Sequence, residues 1–448
     1  MTPKLESKPS RIHTHFQVLC DQIGKRYSGT HGEQRAADYV EAHFKRLGLA
    51  NVHQQPFEFP NWDSSRSALR VGRGGRLKRI AAASASGFSH STPARGVRGR
   101  LVYLQSGSEL NFKQDLRGKV GLLIGALSLG DEAVKDRLVQ AGLAALIISD
   151  LRVPYPWPVA TGGAPHWVNG YTLPTIGVPY FDAYELVKAA EAAALTAHVT
   201  IQARTFPDQS QNVLGEVVGT KWSDQVIVVS GHHDCVMGNV GANDNGSGVV
   251  FTMELASLFA KRRPRRTIRF ASYGVEEKLS IGSYLYMRSL KPKQRQALVL
   301  AVNADGCGGR LGEDNVIVTG DHRLERLARD VWRRRRHPAS VARGVMSYSD
   351  HYPMNIIGAP SLMLGRPSSL GGMLWELHSV HDNLENISIP VMRRTIDTTA
   401  RFIHQVANAP RLPFARRIPA DLMRQVRADA KAIYRHPWSP DDFQYPDS

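Results

Sequence analysis

From Asn212 onward the chain alternates short apolar runs with longer periodic ones, and that alternation constrains its fold more than any other feature. QVIVVSG, TIRFASYG and ALVLAVNAD read as strands, and GSGVVFTMELASLFAKR and GSYLYMRSL read as helices. Strands that are apolar almost throughout are buried on both faces, which is the signature of a parallel sheet covered by helices on each side. The helix predicted at 246–262 is apolar around much of its circumference, as a buried helix should be. The expected fold class is therefore α/β, with a mostly parallel mixed sheet sandwiched by helices.

A chain of 448 residues exceeds one ordinary core, so two domains are expected, or three. Ala36, Ala37, Tyr39, Val40, Phe44 and Leu47 recur at helical spacing before Gly48, which stands where a C-terminal cap glycine belongs. The strand VHQQPFEF follows. Residues 66–95 are rich in Arg, Gly, Ser and Ala and read as a connector or irregular strands. Residues 96–205 have a different, β-rich texture, with RGRLVYL, KVGLLIGAL, LAALIISD and HVTIQA as strands and a helical segment from Glu132 to Ala141. The loop from Val153 to Gly170, loaded with Pro, Trp and Gly, is long enough to be functional or mobile. After a helix over Pro390–Ala407, a basic Pro/Arg-rich tail (411–448) carries helical character around Ala420 to Tyr434.

Basic residues outnumber acidic ones by 57 to 40, for a net charge of +17. Such an excess raises the question of nucleic acid or an anionic surface. The two densest runs, Lys261 to Arg266 and Arg333 to Arg336, lie beside helical patterns and carry no interleaved aromatics. They read as solvated helix ends, and no nucleic-acid partner is expected. The three cysteines, Cys20, Cys235 and Cys307, imply no disulfide framework. Cys235 and Cys307 flank the acid-bearing segments described next and could approach each other, but matched to no ligand position they read as small buried residues. No apolar run reaches the roughly twenty residues of a membrane span. The first residues show no leader-like apolar segment, so the expected location is cytoplasmic, or secreted if a leader has been removed.

In an open α/β sheet, ligands collect beyond the carboxyl ends of the strands. Three acid- or histidine-bearing segments close strands there: GHHDC, GVEEKLSIGS and VNADG. His232 and Asp234 are two residues apart and face one side of an extended chain. Asp234 can therefore accept one ring N–H of His232 while the other nitrogen binds metal. In GANDNGSG, Asp244 precedes a helix, where a carboxylate can bridge two cations. Of Glu276 and Glu277, one can bind metal while its neighbour holds a proton. LHSVHD offers His378 as a last ligand. One histidine and one carboxylate per metal, plus a shared carboxylate, suit zinc with a position left for water.

The order and spacing of HHD (232–234), GANDNGSG (241–248), EE (276–277) with GS (282–283), Asp305 and HSVHD (378–382) resemble the co-catalytic zinc exopeptidases of the bacterial aminopeptidase and glutamate carboxypeptidase type. SDHYPM (349–354) followed by GAPSLML extends the resemblance. It implies a zinc-dependent exopeptidase fold, with residues 1–65 and 206–410 forming the peptidase domain. Residues 96–205 resemble, more loosely, the protease-associated domain often inserted in such enzymes.

By that resemblance His232 and Asp305 would hold one zinc, Glu277 and His378 a second, and Asp244 would bridge them. Asp234 would orient His232, and Glu276 would be the general base that takes a proton from the bound water. The expected reaction is removal of N-terminal residues from a peptide substrate. Carboxypeptidase or dipeptidase action on the same scaffold, a receptor-like binding protein, and a single-zinc cyclising transferase are the alternatives. Leu377 stands where relatives often carry an aromatic beside the last histidine, and Tyr348 and Tyr352 are candidates to replace it. His233, His351 and His381 read as structural.

Overall fold

The computed structural model describes residues 5–105, 107–124, 132–149, 173–367 and 376–433. The loop from Val153 to Gly170 and the tail beyond residue 433 lie outside them. Contacts divide the chain into two compact units, one formed by the chain up to Phe59 together with Gln209–Lys431, the other by Pro60–Asp208.

The first unit begins with α1 (Pro9–Phe16), prolonged by wider turns to Ile23, and α2 (His31–Arg46). Thr30 caps α2 by accepting from the backbone N–H of Glu33, and Glu33 in turn accepts from the N–H of Gly29 at 2.6 Å. This reciprocal arrangement satisfies donors that a helix start leaves open. Gly48, just past the helix, has φ +69°, a left-handed conformation that only glycine adopts without strain. The strand that follows, β1 (Ala50–Arg73), runs on into the second unit.

The second unit pairs the end of β1 with β2 (Arg76–Ile80) as a hairpin, with Leu69 opposite Ile80. After β3 (Ser84–Ala85) come β4 (Val97–Tyr103), β5 (Val120–Ile124), α3 (Glu132–Gln140), β6 (Ala145–Ser149), β7 (Thr175–Gly177), α4 (Tyr180–Ala192) and β8 (Thr196–Val217). β4, β5, β6 and β7 are parallel neighbours in that order. Of the two readings of this stretch, connector or irregular strands, residues 69–80 take the second, as strands of this unit. Buried Leu69 and Val71 pack into the same apolar cluster as Val120 and Ile147. The Arg- and Gly-rich composition conceals an alternating Leu69, Val71 pattern too short to read with confidence in a basic stretch.

The chain returns to the first unit through β8 and continues as β9 (Trp222–His232), α5 (Gly248–Ala260), β10 (Arg266–Tyr273), α6 (Ile281–Ser289), α7 (Pro292–Ala297), β11 (Leu298–Ala304), β12 (Asp314–Thr319), α8 (His322–Arg334), β13 (Ala339–Arg343), α9 (Tyr352–Ile356), β14 (Ser361–Gly365), α10 (Ile389–Asn408) and α11 (Ala420–Ile433). The sheet order is β13–β12–β14–β11–β9–β10–β8. Four neighbouring pairs are parallel and two, β12–β14 and β10–β8, are antiparallel. Among the described residues no helix is long and apolar enough to cross a membrane.

Every residue of α5 from Gly248 to Phe259 is buried, against the sheet on one side and α10 on the other. Each fully buried Val, Leu or Phe contributes about 1.5–3 kcal/mol. The N-terminus of α5 packs against the end of β9 with no space for side chains. A Cβ on Gly231 would lie 2.6 Å from the carbonyl carbon of Gly248, and one on Gly248 would lie 2.3 Å from the carbonyl oxygen of Ala304. The neighbours are backbone and cannot yield cheaply. Gly231→Ala should lower unfolding free energy by about 1–3 kcal/mol, the usual cost of overpacking, as read from urea denaturation.

Candidate metal centre

Three adjacent parallel strands end at one edge of the sheet. Tyr273 of β10 lies opposite His232 of β9, and Asn303 of β11 opposite Ser230. The chain leaves these ends into Asp234, the Glu276–Glu277 pair and Asp305, so residues distant in sequence arrive side by side. Asp244 comes from the segment between β9 and α5, where the Asp244–Asn245 peptide bond is cis. His378 comes from the segment preceding α10.

The side chains converge on two points. His232 Nε2 lies 3.3 Å from Asp244 Oδ1, 3.5 Å from Asp305 Oδ1 and 3.6 Å from Glu276 Oε2. His378 Nε2 lies 3.1 Å from Asp244 Oδ2 and 3.0 Å from Glu277 Oε2. Asp244 thus gives one oxygen to each histidine, the geometry a bridging carboxylate requires. The donor atoms of His232, Asp244 and Glu277 lie within 4.8 Å of one another, as do those of His232, Glu276 and Asp305. His232 Nε2 and Glu277 Oε1 are buried and make no hydrogen bond despite this crowding. Atoms that face one another without bonding point at a shared centre, and an imidazole-and-carboxylate set of this kind fits zinc.

Electrostatics leads to the same conclusion. Burial opposes charge on His232 but is outweighed by the carboxylates of Asp305 and Glu276, which raise its pKa well above the ordinary value. His378 is raised likewise, with Glu277 and Asp244 outweighing burial. Burial, with Asp244 beside it, pushes Glu277 up to about 7. Burial also drives Glu276 well above the usual carboxylate range, with Asp305 and Asp350 adding to the effect. Only compensating positive charge lets so many buried carboxylates ionise together.

Around the donors stands a set of supports. Asp234 Oδ1 faces His232 Nδ1 at 3.3 Å, and the carboxylate accepts from the backbone N–H groups of Glu276 (3.0 Å) and Glu277 (3.3 Å) and from Ser28 Oγ (2.9 Å). Although burial opposes its charge, the bond to His232 prevails and Asp234 titrates near 2. One carboxylate therefore orients the histidine and also fixes the backbone of the glutamate pair. Asp305 Oδ2 accepts from Ser349 Oγ (2.6 Å), Ser349 Oγ accepts from Asn303 Nδ2 (2.8 Å), and Asn303 Oδ1 accepts from Ser230 Oγ (2.7 Å). Asp382 accepts from the backbone N–H groups of Asn243 (2.6 Å) and Asp244 (2.9 Å), locking the bridging residue in place.

Sequence reasoning quoted Asp382 as part of a motif but gave it no function. The serine and asparagine supports left no signal in the sequence. Val275, Leu279, Ser280, Ser349 and His378 all have φ between +54° and +76°. Non-glycine residues rarely adopt this region, and they gather where a site must be held in one shape. Tyr352 is buried and donates its hydroxyl to the carbonyl of Val426, so it is turned away from the centre. Tyr348 is exposed. His233 turns to Ser272 Oγ, and His351 is fully buried in the segment after Asp350. Cys235 lies against Arg26 and Asn239, whereas Cys307 lies against Ser247 and Met392, so the two thiols occupy separate environments and remain free.

Two donor sets sharing a carboxylate at the carboxyl end of a mostly parallel sheet are the arrangement that a two-metal hydrolytic centre requires. Residues 212–403 match the model of Peptidase family M28. The chain is 28% identical over 289 residues to carboxypeptidase Q of Bos taurus, a match covering 62% of this chain and 61% of the bovine protein. It is 25% identical over 448 residues to aminopeptidase YwaD of Bacillus subtilis, covering 96% of this chain and 90% of the bacterial one. The solved zinc aminopeptidase BSAP of Bacillus subtilis shares the fold, with a TM-score of 0.75 at 23% identity over 94% of this chain and 100% of that one.

Because Asp382 holds the peptide of Asp244, Asp382→Asn should weaken zinc affinity by about 10–100-fold while the first donor set, through Asp234, stays formed. Chelator competition, following the release of each zinc separately, checks this.

Proposed function

We propose that the protein is a two-zinc aminopeptidase that hydrolyses the N-terminal residue from peptides. The observation that carries this reading is the charge of the site. Eight carboxyl groups stand in or directly behind it: Asp234, Asp244, Glu276, Glu277, Asp305, Asp350, Glu376 and Asp382. Two zinc ions would offset four of them, and burial pushes Asp350 up to about 7 and Asp382 up to about 8, so the surplus is smaller than the count of carboxyl groups. Of the cations of the same loops, Lys278 lies near enough to Asp234 to favour that carboxylate's charge. Lys278 sits 4.1 Å from the ring centre of Tyr27 and 5.3 Å from that of Phe59, and Arg26 donates to five backbone carbonyls. A surplus of negative charge attracts a substrate's terminal ammonium and repels a terminal carboxylate.

His232 and Asp305 would hold one zinc, Glu277 and His378 the other, and Asp244 would bridge. Bound zinc would polarise the scissile carbonyl and make water a better nucleophile. Glu276 is assigned as the general base. Its Oε1 accepts from Ser280 Oγ at 2.9 Å, which leaves Oε2 facing the centre to take a proton from the attacking water and pass it to the leaving amine. Glu276 also falls within donor distance of His232 and Asp305. Asp244 is the better ligand because it alone reaches both histidines.

Metal analysis should give two zinc ions per chain. Glu276→Gln should keep both and lower turnover on aminoacyl arylamides by roughly 10²–10⁴-fold, the range of a general acid–base group. Loss of zinc in this variant would make Glu276 a ligand instead. N-acetylation of a test peptide should abolish cleavage and C-terminal amidation should leave it intact; the reverse pattern would establish a carboxypeptidase, the activity printed in the name of the bovine relative.

A further inference from the structure

Ser280 stands where α6 (Ile281–Ser289) begins, the position at which a serine hydroxyl normally accepts from the open N–H groups of a helix start. Here it does not. The hydroxyl makes no capping bond and donates instead to Glu276 Oε1 at 2.9 Å. The backbone of the helix still starts in the ordinary way, since the Ser280 carbonyl accepts from the N–H of Tyr284 at 2.9 Å and from Ser283 Oγ at 3.1 Å. Only the side chain is diverted, and at 2% exposure it is shielded from water.

The forgone cap is accompanied by a second cost, in the backbone. Ser280 has φ +54° and ψ +36°, and Leu279 before it has φ +70° and ψ +48°. Two successive non-glycine residues in the left-handed region are rare, because Cβ there crowds the following carbonyl oxygen. A glycine at 280 would relieve the crowding, and a serine with extended backbone could cap the helix. Neither would aim a hydroxyl at Glu276. The loop that carries this hydroxyl is closed twice, by the N–H of Ser280 on the carbonyl of Glu276 at 2.7 Å and by the N–H of Ile281 on that of Val275 at 3.1 Å. Val275 and Ile281 also pack with Phe59 in a small apolar cluster, with Phe57 and Leu285 at its margin. The hydroxyl is therefore presented from a fixed support.

What the bond controls shows at the other oxygen of the same carboxylate. Glu276 Oε2 lies 3.6 Å from His232 Nε2, and the group falls within donor distance of both His232 and Asp305. A carboxylate so placed has two competing uses, because one that ligates a cation no longer has that oxygen free to take a proton. Anchoring Oε1 limits how far the group can turn or advance. We propose that Ser280 is a positioning residue that holds the Glu276 carboxylate beside the metal centre as a base and keeps it from becoming a ligand. This rests on the peptidase reading above, in which Glu276 takes the proton of the attacking water. It accounts for both local costs, since the left-handed backbone and the unused cap are what direct the hydroxyl toward Glu276.

Two substitutions separate the hydroxyl from the backbone. Ser280→Gly removes the hydroxyl and relieves the left-handed conformation, whereas Ser280→Thr keeps the hydroxyl and adds a β-branch that this conformation tolerates poorly. In the zinc-loaded full chain, Ser280→Gly should lower kcat on an aminoacyl arylamide by about 10–100-fold and leave KM within about twofold of the parent. Its zinc content should match the parent's, and its urea midpoint should not fall. Ser280→Thr should restore most of the lost turnover although its urea midpoint is lower. A residue that only stabilised the fold would give the opposite order, with turnover following the midpoint. Crystal structures of the zinc-loaded parent and of Ser280→Gly supply a readout apart from catalysis: Glu276 Oε1 should rest on Ser280 Oγ in the parent, and the carboxylate should leave that position in the variant. The proposal is overturned if Ser280→Gly turns over within about twofold of the parent, if its loss of turnover comes with loss of zinc, if Ser280→Thr is equally impaired, or if Glu276 keeps its place in the Ser280→Gly crystal. The crystallographic comparison needs no turnover, so an inactive parent would sink the peptidase reading while the hold of Ser280 on Glu276 is decided separately.

Discussion

The structure depends on one carboxylate serving two imidazoles. Asp244 sits between His232 and His378 with an oxygen toward each, and its neighbours are arranged so that it can stay there. An unpaired anion at that depth would be expelled or protonated. It is retained because its own peptide N–H is tied to Asp382, because both histidines face it, and because the donor set around it is shaped for dications. The requirement reaches into the scaffold. The strands must end level with one another, α5 must begin immediately beyond Asp244, and the contact between Gly231 and Gly248 must be close enough to allow both.

The supporting groups share a logic. Asp234 holds a side chain on one strand end and two backbone amides on the next, so the position of His232 is coupled to that of Glu276 and Glu277. Ser230, Asn303 and Ser349 do the same for Asp305 from beneath the sheet. Each link is a buried, satisfied polar group in a low-dielectric interior, where a hydrogen bond fixes geometry more firmly than it would in water. The strained backbone at Val275, Ser280, Ser349 and His378 is stabilised by these links and by the packed strands below.

Much of this was legible from sequence, for identifiable reasons. Continuous apolar strands such as QVIVVS declare a two-sided sheet, and acids at their ends declare where ligands gather. His232, Glu277 and Asp305 could be picked out because metal chemistry limits which residue types serve and all three follow strand ends, whereas Asp244 and His378 were marked by GANDNGSG and HSVHD. Supports are harder to see. Serine and asparagine occur everywhere, and nothing near Ser349 in the chain marks it as the partner of Asp305, 44 residues away. Asp382 lay within a recognised motif, yet the target of its carboxylate was a pair of backbone amides, which carry no sequence identity. The stretch at 69–80 reads only as a connector or irregular strands because two buried residues, Leu69 and Val71, are a weak signal amid arginines.

Arg26 illustrates a further property of the design. Its guanidinium is wholly buried and is satisfied by carbonyls of Leu19, Gly24, His233, Val240 and Gly241, which joins the start of the chain to the loop that presents Asp244. Ser28 adds a bond to Asp234 from the same region, while Asp382 closes the site from the other end. The centre is therefore a closed circuit through the chain: a piece that lacks either Ser28 or Asp382 lacks part of it. On the ribosome, His232, Asp244, Glu277 and Asp305 emerge well before Asp382, which follows the last donor, His378, within the same HSVHD motif. The complete site then arrives in one step, when this last segment is made and its contacts close.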